Sequence, residues 1–150
     1  MKQTKTYFTI KEMEKALFEI KKQIKKSAWI PEIILSVNRG GCVPGVYLSH
    51  MINIPHKVVD VQLRDNESVP NLMVLDSCIN TLSNILIIDD INDTGATFNF
   101  IKNRINQQDL SIFFAVLIDN NSSKFKVDFR GKIIDKIKDP SWIIFPWEKN

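Results

Sequence analysis

"ILIIDDINDTGATF", residues 85–98, decides the fold. Its first four residues form an apolar run of the kind buried on both faces of a parallel sheet. Asp89 and Asp90 then stand side by side, Asp93 follows three residues on, and Thr94, Gly95, Ala96 and Thr97 close the stretch in a turn that enters a helix. A single acid after a strand carries little information, because Asp makes turns and caps helices. Three acids are different, since adjacent carboxylates raise each other's cost of ionisation unless a cation or hydroxyl donors lie between them. A strand that turns into a helix N-terminus also directs backbone N–H groups outward beneath the positive end of that helix, a geometry that selects phosphate. The whole pattern suits a sugar carrying a phosphate. Asp89 and Asp90 accept from vicinal ribose hydroxyls, while the amides and hydroxyls of Asp93 to Thr97 wrap the phosphate.

Outward from this stretch the chain alternates between strand and helix. "TIKE" (Thr9 to Glu12) reads as a capping box, and Ile10, Met13, Leu17, Ile20 and Ile24 recur behind it at helical spacing. Pro31 breaks the chain before the strand "EIILSV" (32–37). A glycine-containing turn follows, then a helix over "VPGVYLSHMIN" (43–53) and a strand over "HKVVDVQL" (56–63). Residues 64–84 read as polar and irregular. Beyond them come the strand that opens the quoted stretch, a helix from about Gly95 to Gln107, and strands over "SIFFAVLI" (111–118) and "VDFRGKII" (127–134). Strands separated by single helices favour right-handed crossovers, and so an α/β fold with a mainly parallel sheet flanked by helices. In such sheets ligands bind at the carboxyl ends of the strands. Two of those ends carry unusual residues: "SVNRGG" (36–41) and the acidic turn itself.

Bulk properties are consistent with one domain spanning residues 1–150. A chain of 150 residues buries about two thirds of its unfolded surface in a single core. With 44% hydrophobic and 25% charged residues the composition is that of an ordinary globular protein. The net charge of +3 is mild, and the lysines of "KKQIKK" (21–26) and "KFKVDFRGKIIDKIK" (124–138) read as solvated faces, so no nucleic-acid partner is expected. Cys42 and Cys78 lack CxxC spacing and only two histidines accompany them, which argues against a zinc centre. The amino terminus shows no apolar signal core and no stretch reaches the length of a membrane span, so a cytoplasmic protein with free thiols and no membrane association is expected. Common nucleotide motifs fail on inspection. Gly40 and Gly45 have P-loop spacing, but Val46 occupies the lysine position, and no GxGxxG occurs.

The quoted stretch closely resembles the phosphoribosyl pyrophosphate (PRPP) signature of the type I phosphoribosyltransferases. "NRGGCVPG" (38–45) resembles that family's pyrophosphate loop, which adopts an unusual peptide conformation that glycine tolerates. "WIIFPWE" (142–148) is similar to the end of xanthine-guanine and related purine members. The resemblance implies transfer of ribose 5-phosphate from PRPP to guanine, hypoxanthine or xanthine, with Mg2+ held by Asp90 and by Asp89 beside it. It further implies a small hood formed by terminal segments (about 119–150), a mobile lid (about 64–84), and a homodimer or homotetramer. Asp89, Asp90, Asp93, Thr94, Gly95, Ala96 and Thr97 would bind the ribose and its 5-phosphate, and Arg39, Gly40 and Gly41 the pyrophosphate. Asp93 would exchange a proton with the purine imidazole ring. Trp142 would stack on the base and Ile143 offer backbone groups to its edge.

Two departures stand against that pattern. Related purine enzymes carry a lysine after the strand that precedes the hood, where it meets the 6-oxo group. Here the run is "VLIDNN" (116–121), and Asn120 falls at that position among the purine-binding residues, leaving the base open; Lys124 and Lys126 read as a solvated turn. The expected lid has Arg64 at its base, then Asp65, Glu67 and Asp76 with no further Lys or Arg through Asn84. An alternative reading, a catalytically weak PRPP-binding regulator of the same fold, would call for a helix-turn-helix or a dense basic patch, and the sequence offers neither.

Overall fold

The computed structural model describes residues 2–61, 71–105 and 110–148. In chain order its elements are β1 (Lys5–Tyr7), α1 (Ile10–Ser27), β2 (Ile33–Val37), α2 (Cys42–Ile52), β3 (His56–Val59), α3 (Met73–Thr81), β4 (Asn84–Asn92), α4 (Ala96–Arg104), β5 (Ser111–Asn120), β6 (Phe129–Ile134) and β7 (Trp142–Ile144). The N-cap of the first helix forms as the sequence predicts. Thr9 caps α1 and its hydroxyl accepts from the Glu12 N–H at 3.1 Å, Ala28 closes the helix in the left-handed conformation, and Met13, Ala16, Leu17, Ile20 and Ile24 make the buried stripe.

Five strands form one sheet in the order β3-β2-β4-β5-β6, with every neighbouring pair parallel. The apolar run of β4 explains itself here. Leu86 and Ile88 join the core beneath α1 and α2, while Ile85 and Ile87 join the core beneath α3 and α4, so both faces of the strand are covered. From β2 the chain moves outward to β3 on one side and then returns to β4 on the other. The carboxyl ends of β2 and β4 therefore meet where the strand order reverses, the position at which such sheets leave a crevice for ligand.

The segment read as irregular needs correction over part of its length. Met73–Thr81 is a helix, with Leu75, Cys78 and Ile79 buried against the sheet. Its apolar spacing is interrupted and only nine residues long, so packing rather than local propensity holds it. Residues 64–70 of the expected lid, with Arg64, Asp65 and Glu67, lie outside the described residues. Asp76 sits on α3, where Arg104 of α4 donates to it at 3.0 and 3.3 Å.

A second, two-stranded sheet joins the ends of the chain. β1 pairs in parallel with β7, Lys5 opposite Trp142 and Tyr7 opposite Ile144, and the Phe8 N–H donates to the Ile144 carbonyl at 2.9 Å. Phe8 also meets Phe145 edge-on at 5.4 Å. The terminal segments thus build a small hood beside the crevice. Three-residue strands carry no periodic signal, which is why the alternation of the sequence does not disclose them. No helix among the described residues is long and apolar enough to cross a membrane.

Candidate active site

A cavity of about 880 Å3 opens at the reversal point, lined by the loop after β2, the end of β4, the turn into α4, and the hood residues Trp142, Ile144, Trp147 and Glu148. The acidic pair lies on its wall. Asp89 is half-buried and accepts from the Asp90 N–H at 2.8 Å; Asp90 is 5% exposed and accepts from the Ile91 N–H at 2.7 Å. β4 runs on to Asn92, so both acids belong to the strand rather than to the turn, and the sheet itself fixes their directions.

Behind them the turn at Asp93–Gly95 is set by glycine and by contacts with the next crossover. Gly95 has φ +92°, and a Cβ there would lie 2.7 Å from the Phe125 nitrogen, so both backbone and space exclude other residues. The Lys124 N–H donates to the Thr94 carbonyl at 3.1 Å. Asn92 ties the two segments together: its amide donates to Asp119 at 2.9 Å and to the Phe125 carbonyl at 2.8 Å, and accepts from the Ser123 hydroxyl at 2.9 Å. α4 then begins at Ala96, whose N–H donates to Thr94 Oγ1 at 3.3 Å, and its N-terminal turn points its remaining amides toward the cavity end of the helix.

Across the crevice, the loop after β2 holds a cis peptide between Asn38 and Arg39, in keeping with the unusual conformation expected of it. Asn38, Arg39 and Gly40 line the cavity. Gly41 is buried at the start of α2, where its N–H donates to the Val37 carbonyl at 2.9 Å. The glycine at 40 is a close approach: a Cβ would fall 2.6 Å from the Asp90 Cγ and closer still to Oδ2. Beside the loop, burial and the charges of Asp89 and Asp60 push the Cys42 thiol above its ordinary pKa, and that thiol donates to Asn38 Oδ1 at 3.4 Å.

The hood side contains what sequence reasoning missed. Asp93 lines the cavity as predicted, but its carboxylate is paired with Lys136, whose Nζ lies 3.1 Å from Oδ2. Trp142, 38% exposed, reaches the cavity wall, and Ile143 lies on an adjoining recess of about 10 Å3 together with Asp93 and Lys136. Asn120 is not on the cavity wall. It is buried behind Asp93, donating to the Asp93 carbonyl at 3.0 Å and to Oδ1 at 3.4 Å while accepting from the Lys136 N–H at 3.1 Å. Lys124 and Lys126 are exposed, as read. Lys136 gave no signal because it sits in a lysine-rich run whose spacing resembles a solvated face. Trp147, stacked on Phe145 at 5.1 Å, and Glu148 likewise join the wall through the hood's path alone.

A family model described as the phosphoribosyl transferase domain matches residues 3–149. The chain belongs to the phosphoribosyl transferase domain family. Among curated relatives, a xanthine-guanine phosphoribosyltransferase of Idiomarina loihiensis is 32% identical over 121 residues, covering 77% of this chain and 70% of that one. Two solved structures share the fold of this phosphoribosyltransferase. A purine phosphoribosyltransferase from Pyrococcus horikoshii is 25% identical with TM-score 0.70, covering 97% of this chain and 95% of that one. The xanthine-guanine-hypoxanthine phosphoribosyltransferase of Helicobacter pylori is 22% identical with TM-score 0.75, covering 97% and 93%. Within the family the chain is most similar to its purine members.

Proposed function

We propose that this phosphoribosyltransferase transfers ribose 5-phosphate from PRPP to a purine base, with guanine, hypoxanthine or xanthine favoured, giving the nucleoside monophosphate and pyrophosphate. The observation that carries the reading is one cavity bounded by the acidic pair, the N-terminal turn of α4, the loop after β2, and the Trp142 side chain. Each wall suits one part of that reaction. The amides from Asp93 to Thr97 receive the 5-phosphate, Asp89 and Asp90 the ribose hydroxyls, and Arg39 with Gly40 the pyrophosphate; Gly41 supports that loop from behind. The purine stacks on Trp142.

In the reaction a bond forms from the purine nitrogen to the anomeric carbon as the carbon–oxygen bond to pyrophosphate breaks, the electron pair leaving with pyrophosphate. The proton of the imidazole ring passes to Asp93. The sugar is cation-like at the midpoint, so the carboxylates at its side lower the barrier. Mg2+ fits the donor set. Among the described residues no group of three or more metal-ligating side chains could cage an ion, but two adjacent carboxylates lining the cavity match an ion that keeps waters and substrate phosphates as its other ligands. Asp90 and Asp89 would hold it, and it would neutralise the departing pyrophosphate. A cytoplasmic homodimer or homotetramer goes with this reading. The regulator alternative gains no support from relatives that are themselves named transferases.

The test is turnover: protein, Mg2+ and PRPP with each purine in turn, following nucleotide and pyrophosphate. Formation of a nucleotide that falls about 10²- to 10⁴-fold in Asp93→Asn is expected. PRPP binding with no product from any purine would overturn the reading.

A further inference from the structure

Lys136 lines the small recess beside the cavity together with Asp93 and Trp142. Its ammonium lies 3.1 Å from Asp93 Oδ2 and 5.4 Å from the centre of the Trp142 ring, and its side chain is only 16% exposed. An ion pair on an open surface is weak and free to wander, but this one is held at both ends. Asn120 bonds to the Asp93 side chain and backbone and, through the same amide group, to the Lys136 N–H, so β5 fixes both partners. The pair therefore sets a carboxylate on the wall of the cavity and an ammonium in the small recess that adjoins it, with Trp142 bordering both.

That arrangement matches one edge of one class of purine. In guanine and hypoxanthine the imidazole N7 adjoins the 6-oxo oxygen, so a carboxylate that takes the imidazole proton stands beside an acceptor, whereas adenine offers an amino donor at the same place. An ammonium has donors only. We propose that Lys136 is the specificity-determining residue for the base, donating to the 6-oxo oxygen while Asp93 serves the imidazole ring, and that Asn120 positions the two without touching the base. The inference rests on the purine reading above and adds the residue that selects within it. The lysine missing after β5 is thus supplied from the hood, sixteen residues further along the chain than the position where Asn120 stands.

The experiment compares wild type, Lys136→Met and Lys136→Arg with hypoxanthine, guanine and adenine, adenine being read as substrate or as competitive inhibitor. Loss of a charge-assisted hydrogen bond should raise KM for the two 6-oxo bases about 10- to 100-fold in Lys136→Met, with KM for PRPP unchanged and adenine affinity equal or improved. Lys136→Arg, which keeps the charge, should recover part of the 6-oxo preference. Equal losses for adenine and hypoxanthine would overturn the inference and leave Lys136 as a counter-ion that merely positions Asp93. If Lys136→Met does not fold, the same comparison is read from Lys136→Leu, which likewise removes the donor. A wild-type protein that converts no purine overturns the inference together with the function it rests on; one that converts purines but shows the equal losses overturns the inference alone.

Discussion

Gly40→Ala is expected to damage catalysis far more than folding. The new Cβ would sit 2.6 Å from Asp90 Cγ and 2.9 Å from Oδ1, and carbon–carbon contacts settle at about 3.5–4.0 Å, so the carboxylate must retreat by about 1 Å. It cannot do so freely, because Asp90 is buried and its Oδ1 already accepts from the Ile91 N–H at 2.7 Å. The left-handed backbone that excludes Ala is not at issue: among the described glycines the positive φ is at Gly95 and not at Gly40. The stability loss should therefore be that of local overpacking, about 1–3 kcal/mol. A misplacement of about 1 Å at a substrate-positioning group costs on the order of 10² in rate, so kcat/KM for PRPP should fall about 100-fold. The assay is initial-rate kinetics with PRPP varied at saturating base, beside denaturant titration. Gly131→Ala is the control. Its Cβ would press on Ala16 Cα and the Leu117 carbonyl, each at 2.8 Å and away from the cavity, so it should lose stability and keep kcat/KM. A folded Gly40→Ala protein with wild-type kcat/KM would refute the reasoning, and so would an equal rate loss in Gly131→Ala.

Two other perturbations follow from the site's supports. Asn92→Ala strands a buried bond to the Asp119 carboxylate and another to the Phe125 carbonyl, and should cost about 3 kcal/mol in denaturant titration at constant slope; a loss below about 1 kcal/mol would mean water replaces the amide. Burial holds the pKa of His56 below its ordinary value, with Ser36 Oγ 2.6 Å from Nε2. As pH falls through about 6.5 the unfolded chain takes up a proton that the folded protein resists, so stability should fall toward acid, and His56→Gln should flatten that slope between about pH 5 and 7. An unchanged slope in the variant would assign the acid sensitivity elsewhere.

Legibility in the sequence tracked how local each signal was. The acidic turn, the start of α4 and the loop after β2 are contiguous stretches whose chemistry is written in neighbouring residues, and the structure brings them to one cavity. α1 was equally plain, because a cap and a stripe at helical spacing act within one helix. α3 was not, since its three buried residues form a helix only against the sheet. Asn120 occupied the aligned position of a base-contacting residue and proved to be an internal brace, because burial rather than sequence position decides which groups face a ligand.

By itself, then, the sequence determined an α/β fold with its acidic, glycine-containing turn at a strand end, because hydrophobic period, turn chemistry and helix-terminus electrostatics are short-range effects. Only the tertiary structure decided the hood side of the cavity. The hood joins residues from both ends of the chain, pairing Lys5 with Trp142, and it carries Lys136 to within 3.1 Å of Asp93 across 43 positions. Contacts of that span depend on how the chain closes over the crevice, and no periodicity in the sequence encodes them.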